Sequence, residues 1–339
     1  MAKKATLADV ARMVGVSAKS VSRVINGEPH VSDQLRDEVM RAVTELGYRP
    51  NLAARVLATS RSRIIGVINP DIESPYYSAI NANFIHACRT HDYHLIIEQI
   101  ESNTPTAVSQ MRRFMNEVDF AGVVLTRGPA DSAEVCELVS ASGTPFVALS
   151  PYERPINHNA IIIDNRQGEV ELIDHLWSLG HRTFGLMVAP PDVRHLRGQA
   201  CERRLLQLGC DPGAITKFPI DVYTPGLEAG RRIATQITQD NHRFGALCAF
   251  NDEMAAGAIG HFLSMGIAVP EDISVVGFDD SPTARSIWPQ LTTIRQPLNI
   301  AADTAITMIA EHDAQLGPKI VTCPIELIVR QSTGPAPNH

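Results

Sequence analysis

At 339 residues the chain is too long for one compact core and suits two or three units. With 44% hydrophobic and 20% charged residues its composition is that of a globular protein, and no apolar run nears the roughly 20 residues that span a bilayer, so no membrane segment is expected. The net charge of −7 is polarised: residues 1–63 hold eleven Lys/Arg against six Asp/Glu, and the rest hold nineteen against thirty-one. A basic head on an acidic body lets the head meet phosphate while the body discourages unspecific sticking.

Lys3 and Lys4 are followed by Thr6 and Asp9 in place of an apolar stretch, so no secretory leader is expected and a cytoplasmic location is. The six cysteines, Cys88, Cys136, Cys201, Cys210, Cys248 and Cys323, form no CxxC pair, which argues for buried thiols over a metal knuckle or a disulfide framework.

Thr6 can cap a first helix running to about residue 13, in which Leu7, Val10 and Ala11 share one face. Gly15 breaks it, and Ser17 can cap a second helix with Val21, Val24 and Ile25 inward and Ala18, Lys19, Ser22 and Arg23 outward. Asn26-Gly27 closes that helix. A third begins near Ser32, buries Leu35, Val39, Val43 and Leu46, and stops at Gly47.

Two short helices around a glycine turn, completed by a third, fit a helix-turn-helix unit whose second helix reads DNA; by pattern alone a three-helix bundle with a basic surface stays open. The outward residues of the second helix are small, hydroxylated or basic, so the helix can sink into the major groove with Lys19 or Arg23 reaching guanine, while Ser17, Ser22, Asn26 and Ser32 suit phosphate contacts. Pro50 can open a short helix over 51–58 that is too short to stand alone and would gain order on DNA beside its dimer mate.

From Ile64 onward, β-branched runs at 64–68, 95–100, 123–125, 146–149, 161–163, 184–188, 246–249 and 274–277 alternate with helical stretches near 77–91, 107–118, 132–142, 168–179, 196–208, 226–237 and 254–265. Such alternation implies parallel sheets wrapped by helices, in two α/β lobes with ligands at the carboxyl ends of the strands. Tyr76 and Tyr77 follow the first strand, where an aromatic face could stack on a sugar ring or a base.

The wording of the chain resembles the LacI/GalR (lactose and galactose repressor) family: Thr6-Leu7-Ala8-Asp9-Val10-Ala11, Gly15-Val16-Ser17, Val21-Ser22-Arg23-Val24-Ile25-Asn26 and Gly47-Tyr48-Arg49-Pro50-Asn51 at the start. The likeness continues through Pro70-Asp71, Ser74-Pro75-Tyr76-Tyr77, Asp164-Asn165, Leu179-Gly180-His181, Asn251-Asp252-Glu253-Met254-Ala255, Val275-Val276-Gly277-Phe278-Asp279-Asp280 and Leu291-Thr292-Thr293-Ile294.

The resemblance implies a small all-α helix-turn-helix domain plus an α/β two-lobed type I periplasmic-binding-protein-like domain. It implies a DNA-binding domain at 1–50, a hinge at 51–62, an effector-binding and dimerisation domain at 63–333, and a tail at 334–339. Lobe 1 would hold about 63–163 and 296–322, and lobe 2 about 164–294 and 323–333, with crossovers near 163–166, 293–296 and 322–324. Ala18 and Lys19 would read bases, Leu57 would wedge a central base step from the minor groove, and Thr6, Leu7, His30, Asn51 and Ala54 complete the DNA-facing set. Val56 stands where many relatives carry serine. Arg197, Asn251 and Asp279 match effector contacts, Tyr223 and Asp164 join them, and Ser150 stands where some relatives carry a ligand-binding aspartate. Asp252 and Asp280 are expected as helix caps or turn residues.

The expected function is repression of a carbohydrate-utilisation operon, relieved when a small-molecule effector, expected to be a sugar, frees a homodimer from a palindromic operator. No leucine heptad follows 325–329 to make a tetramer. Arg194 and His195 would tolerate an acidic or phosphorylated effector, so a repressor that answers a purine or a sugar phosphate as corepressor stays open. So does a sugar-binding protein without a DNA function. No GxSxG, GxGxxG, GxxxxGK[ST] or HExxH occurs, the twelve histidines show no metal spacing, and neither an enzyme nor a cofactor is expected.

Overall fold

The structure, a computed structural model, describes residues 5–25, 31–48, 62–101, 104–152, 155, 157–189, 198–221, 224, 226–313 and 315–337. The chain divides into two units, Met1–Ser62 and Arg63–His339.

In the first unit, α1 (Leu7–Val14), α2 (Ala18–Ile25) and α3 (Asp33–Glu45) bury Val10, Ala11, Val21, Val24, Val39 and Ala42 against one another. Local chemistry sets each helix start. Thr6 Oγ1 accepts from the Asp9 amide at 3.3 Å while the Asp9 carboxylate accepts from the Thr6 amide at 2.9 Å, a reciprocal capping box. Gly15, at φ 76°, closes α1 in the left-handed conformation that glycine adopts without a Cβ clash. Ser17 Oγ accepts from the Ser20 amide at 3.1 Å, and Ser32 Oγ from the Leu35 amide at 3.4 Å.

The second unit opens with β1 (Ile64–Asn69), α4 (Pro75–Thr90), β2 (His94–Gln99), α5 (Ala107–Glu117), β3 (Gly122–Leu125), α6 (Ala133–Ala141), β4 (Phe146–Leu149) and β5 (Asn159–Ile163). It continues with α7 (Asn165–Ser178), β6 (Phe184–Val188), α8 (Gln199–Gln207), β7 (Ile215–Pro219), α9 (Gly226–Gln239), β8 (Ala246–Cys248), α10 (Asp252–Ser264) and β9 (Ser274–Val276). The chain ends through α11 (Pro282–Ser286), β10 (Thr293–Arg295), α12 (Leu298–Ala310), β11 (Ile320–Cys323) and β12 (Glu326–Ile328).

Two parallel sheets result. The six-stranded sheet runs β11-β5-β4-β3-β1-β2 and the four-stranded sheet β7-β6-β8-β9. Each is covered on both faces, which is why its central strands read as unbroken apolar runs. The chain completes β5, builds the second sheet, and returns through β10 so that α12 packs on the first sheet and β11 pairs with β5. It crosses again to β12, which pairs antiparallel with β10. Each sheet with its helices forms one lobe. In the second, α9 and α10 touch backbone to backbone: a Cβ at Gly230 would overlap the Met254 carbonyl, and one at Gly257 the Leu227 carbonyl.

The short elements α11, β10 and β11 near the chain's end were not expected, and neither were two longer ones, α12 and β7. The alanines and aliphatics of α12 are buried on several sides and leave no amphipathic stripe. β7 is an edge strand holding Lys217 and ending at Pro219.

Residues 334–337, within the tail, are bound to the second lobe. The Ala336 amide donates to the Leu179 carbonyl at 2.9 Å, the Gly334 amide donates to Ser274 Oγ at 3.1 Å, and the Gly334 carbonyl lies 3.1 Å from His181 Nε2. All six cysteines are buried and free. Among the described residues no helix is long and apolar enough to cross a membrane.

Candidate functional site

In the first unit α2 turns its buried side, Val21 and Val24, to the core and leaves Ser17, Ala18 and Lys19 exposed, with Ser22 and Arg23 half-buried beside them. This is the face a recognition helix needs: small at its start and basic along its side. Thr6, Ser17 and Ser32 spend their hydroxyls on helix starts, and the Leu7 side chain packs on the core. Asn26, His30, Asn51, Ala54 and Leu57 lie outside the described residues.

In the second unit the candidate effector residues lie at the carboxyl ends of the strands. Tyr76 and Tyr77 occupy the first turn of α4, edge to face with ring centroids 5.1 Å apart. The Tyr77 hydroxyl donates to the Arg127 carbonyl at 3.3 Å, and burial raises its pKa far above the usual tyrosine range, so it stays a neutral donor. The Tyr76 hydroxyl donates to Gln296 Oε1 at 3.4 Å, while Gln296 Nε2 donates to Asp279 Oδ1 at 2.6 Å. Tyr76 follows the first sheet's β1, Asp279 follows the second sheet's β9, and Gln296 lies on the crossover, so the two carboxyl edges meet at this chain of contacts.

Asp279 has φ 116° and Asp280 φ 50°, a strained turn that aims consecutive carboxylates in different directions. Asp280 is a turn residue, as expected, and holds Arg295 at 2.7 Å and Arg330 at 2.5 Å. Asp252 is not the cap it was expected to be. Asn251 Oδ1 caps α10 through the Met254 amide at 2.9 Å, whereas Asp252 is fully buried and accepts from Thr293 Oγ1 at 2.5 Å and the Ser281 amide at 2.6 Å. Burial, and then the Asp279 charge, push the Asp252 pKa well above the usual carboxylate range.

Asp164 caps α7, its carboxylate 3.1 Å from the Gln167 amide. Ser150 is buried at φ 52°, at the end of β4. Arg197 and Tyr223 lie outside the described residues, as do Arg194 and His195. α8, which begins just after Arg197 in the sequence, is anchored by an interaction the sequence did not reveal. One oxygen of the buried Glu169 carboxylate accepts from the Gly198, Ala200 and Cys201 amides at 2.9, 3.1 and 3.2 Å. A carboxylate at a helix N-terminus gains from both the amides and the helix dipole.

Sequence reasoning also missed Arg127 and Gln296. Each stands just past a strand, Arg127 two residues after β3 and Gln296 directly after β10, and the rule that strand ends carry ligands could have found both. Among the described residues no group of three His, Cys, Asp or Glu side chains could hold a metal ion.

This geometry agrees with the kinship of the chain. Residues 6–51 match the bacterial regulatory proteins of the lacI family, and residues 173–333 match a periplasmic binding protein-like domain. The HTH-type transcriptional regulator MalR of Streptomyces coelicolor is 31% identical over 346 residues, 98% of each chain. The chain belongs to the lacI family. Another relative, the HTH-type transcriptional regulator GalS of Salmonella typhimurium, is 31% identical over 311 residues, 91% of this chain and 90% of that protein. The Lac repressor dimer, solved bound to operator and the anti-inducer ONPF, is similar at a TM-score of 0.81 and 26% identity, over 98% of this chain and 100% of that one. A transcriptional regulator CelR–cellobiose complex shares the fold at a TM-score of 0.68 and 24% identity, over 97% of this chain and 99% of that one. As a lacI-family member the chain is a DNA-binding transcriptional regulator and not an enzyme.

Proposed function

We propose that this lacI-family protein represses a carbohydrate-utilisation operon in the bacterial cytoplasm, binding a palindromic operator as a homodimer and leaving it when a sugar fills the cleft between its lobes. Residues 1–50 read the operator, 51–62 form the hinge, and 63–333 bind effector and dimerise. The lobes divide at about 163–164, 294–296 and 322–323. One recognition helix contacts too few bases for a genomic search, whereas two related by a twofold axis read both halves of a palindrome.

The observation that carries this is the Tyr76–Gln296–Asp279 chain, at 3.4 and 2.6 Å, which joins the carboxyl ends of the two sheets. A ligand entering there touches both lobes at once and can change the angle between them, and with it the spacing of two hinges in a dimer. The relatives support a sugar as the effector, since one solved neighbour is a complex with cellobiose and another with ribose.

The test is to titrate a panel of neutral and acidic saccharides into the full chain while following its melting temperature. A ligand at 100 times its Kd stabilises by about 2.7 kcal/mol. A shift with one saccharide, and release of operator by that same saccharide, is the expected result. No shift with any of them removes the sugar reading.

A further inference from the structure

We propose that the effector is an anionic saccharide whose carboxylate or phosphate is gripped by the guanidinium of Arg127. The inference rests on the cleft binding a sugar, and specifies which kind.

Arg127 is held as a ready-made anion receptor. Its Nε donates to the Ser150 carbonyl at 3.0 Å, its Nη2 donates to Ser150 Oγ at 2.9 Å, and its guanidinium carbon lies 4.9 Å from the centre of the Tyr152 ring. Ser150 is itself locked, 2% exposed and in the left-handed region at φ 52°. The fork is therefore fixed in direction by a carbonyl, a hydroxyl and an aromatic face, all of them neutral. Of the five N–H groups a guanidinium carries, two are used by Ser150.

Among the described residues the site holds no counter-charge. Arg127, although half-buried, pairs with no carboxylate among them, whereas Arg295 and Arg330 share Asp280 and Arg204 is met by Asp174 at 2.7 Å. Two described acids of the same lobe are engaged with backbone amides. Asp131 accepts from the Gly128 and Tyr152 amides at 3.0 and 2.7 Å, and Asp71 from the Glu73 and Ser74 amides at 2.8 and 3.3 Å. A carboxylate at position 150 would neutralise the guanidinium; serine orients it and leaves its charge for a ligand.

The position fits a saccharide. Arg127 stands at the carboxyl end of β3 beside Tyr77, whose hydroxyl donates to its carbonyl at 3.3 Å, and Tyr77 packs edge to face on Tyr76. On the second lobe Asp279, held 2.6 Å from Gln296 Nε2, presents a carboxylate, which repels an acid and accepts from hydroxyls. The anionic end of the ligand is thereby directed to the first lobe, and its hydroxyls to the second.

The test is calorimetric titration of the full chain, at low salt, with matched probes: neutral aldoses, the aldonic and uronic acids derived from them, and their phosphates. R127Q, R127K and S150D accompany the unaltered chain, and melting temperatures of the ligand-free variants verify folding. The expected result is that at least one acid or phosphate binds more than tenfold tighter than its neutral parent. R127Q and S150D abolish that preference, and R127K keeps part of it. Binding by the acids alone identifies a carboxylate effector, and binding by the phosphates alone a phosphorylated one. A neutral sugar that binds as tightly as its acids, or an acid that R127Q does not weaken, overturns the proposal while leaving the sugar reading intact. Failure of every saccharide overturns both. If R127Q does not fold, R127K and S150D alone decide, since S150D adds a charge without removing the arginine.

Discussion

The amide nitrogen of Gln296 lies 2.6 Å from a carboxylate oxygen of Asp279, and the oxygen of the same amide lies 3.4 Å from the Tyr76 hydroxyl. A neutral crossover residue thus orients the acid of one lobe and faces an aromatic residue of the other. Hydrogen bonds to a charged group are worth about 1.5–3 kcal/mol, so Gln296→Ala should weaken effector binding by roughly tenfold or more. Gln296→Glu should be worse, because it sets a second carboxylate against Asp279. Calorimetry with the identified effector checks the order; equal affinities in all three proteins would mean the crossover contact plays no part in binding.

Operator reading should depend on the outward face of α2. Lys19→Ala and Arg23→Ala each remove a basic contact worth about 1–3 kcal/mol, so DNA affinity should fall by roughly one to two orders of magnitude. Loss of a base contact relaxes preference at one operator position, and loss of a phosphate contact lowers affinity for every sequence and flattens the salt dependence. Fluorescence anisotropy on a set of single-base operator variants distinguishes the two. Undiminished affinity in both mutants would remove α2 as the reader.

Glu169 reaches from α7 to three amides at the start of α8. Glu169→Gln keeps the shape but lacks the charge, and it leaves an amide group facing donors. We expect a loss of about 1–3 kcal/mol in stability. We also expect weaker effector binding, because α8 begins directly after the segment that holds Arg197. Urea unfolding and effector titration on the same variant test both; a variant with unchanged stability would show the cap to be dispensable.

His181 gives the second lobe a pH dependence. It is fully buried with its Nε2 3.1 Å from the Gly334 carbonyl, and burial lowers its pKa below the usual histidine value, with the backbone contact opposing in part. His175, 3.0 Å from Thr333, is lowered by burial as well. Both rings are neutral in the folded state. The unfolded chain takes up protons first as pH falls below about 6.5, so this contribution to stability is intact above that pH and is lost toward the lower folded values. Melting temperature should drop on acidification from pH 7, and His181→Gln should drop less. An equally steep drop in the variant would assign the effect to other groups.

Much of this was legible in the sequence because the determinants are local. Thr6, Gly15, Ser17 and Ser32 mark helix ends through bonds that span three or four residues, and the apolar runs of β1, β3 and β4 follow from burial on both faces. Tyr76 and Tyr77 were singled out by their position after a strand, and Asp279 by its match to the family's effector contacts. What escaped depends on distant partners. Gln296 matters because 17 residues upstream Asp279 receives its amide, Arg127 because Ser150 is folded against it, and Glu169 because its partners are 29 to 32 residues away. Asp252 beside Asn251 illustrates the limit: both residue types cap helices, and only the buried Thr293 and Ser281 contacts show that Asn251 is the cap and Asp252 a core acid.

Operator and effector are expected to compete through one molecule. A duplex selected by the full chain from a random library should carry a twofold-symmetric sequence, and the Kd for that duplex should be measured by anisotropy at rising effector concentration, alongside the effector Kd with and without duplex. Linkage requires the two to change by the same factor. Effector should weaken the operator complex, and operator should weaken effector binding by the same factor. Failure to enrich any sequence, or an effector affinity indifferent to operator, would contradict it.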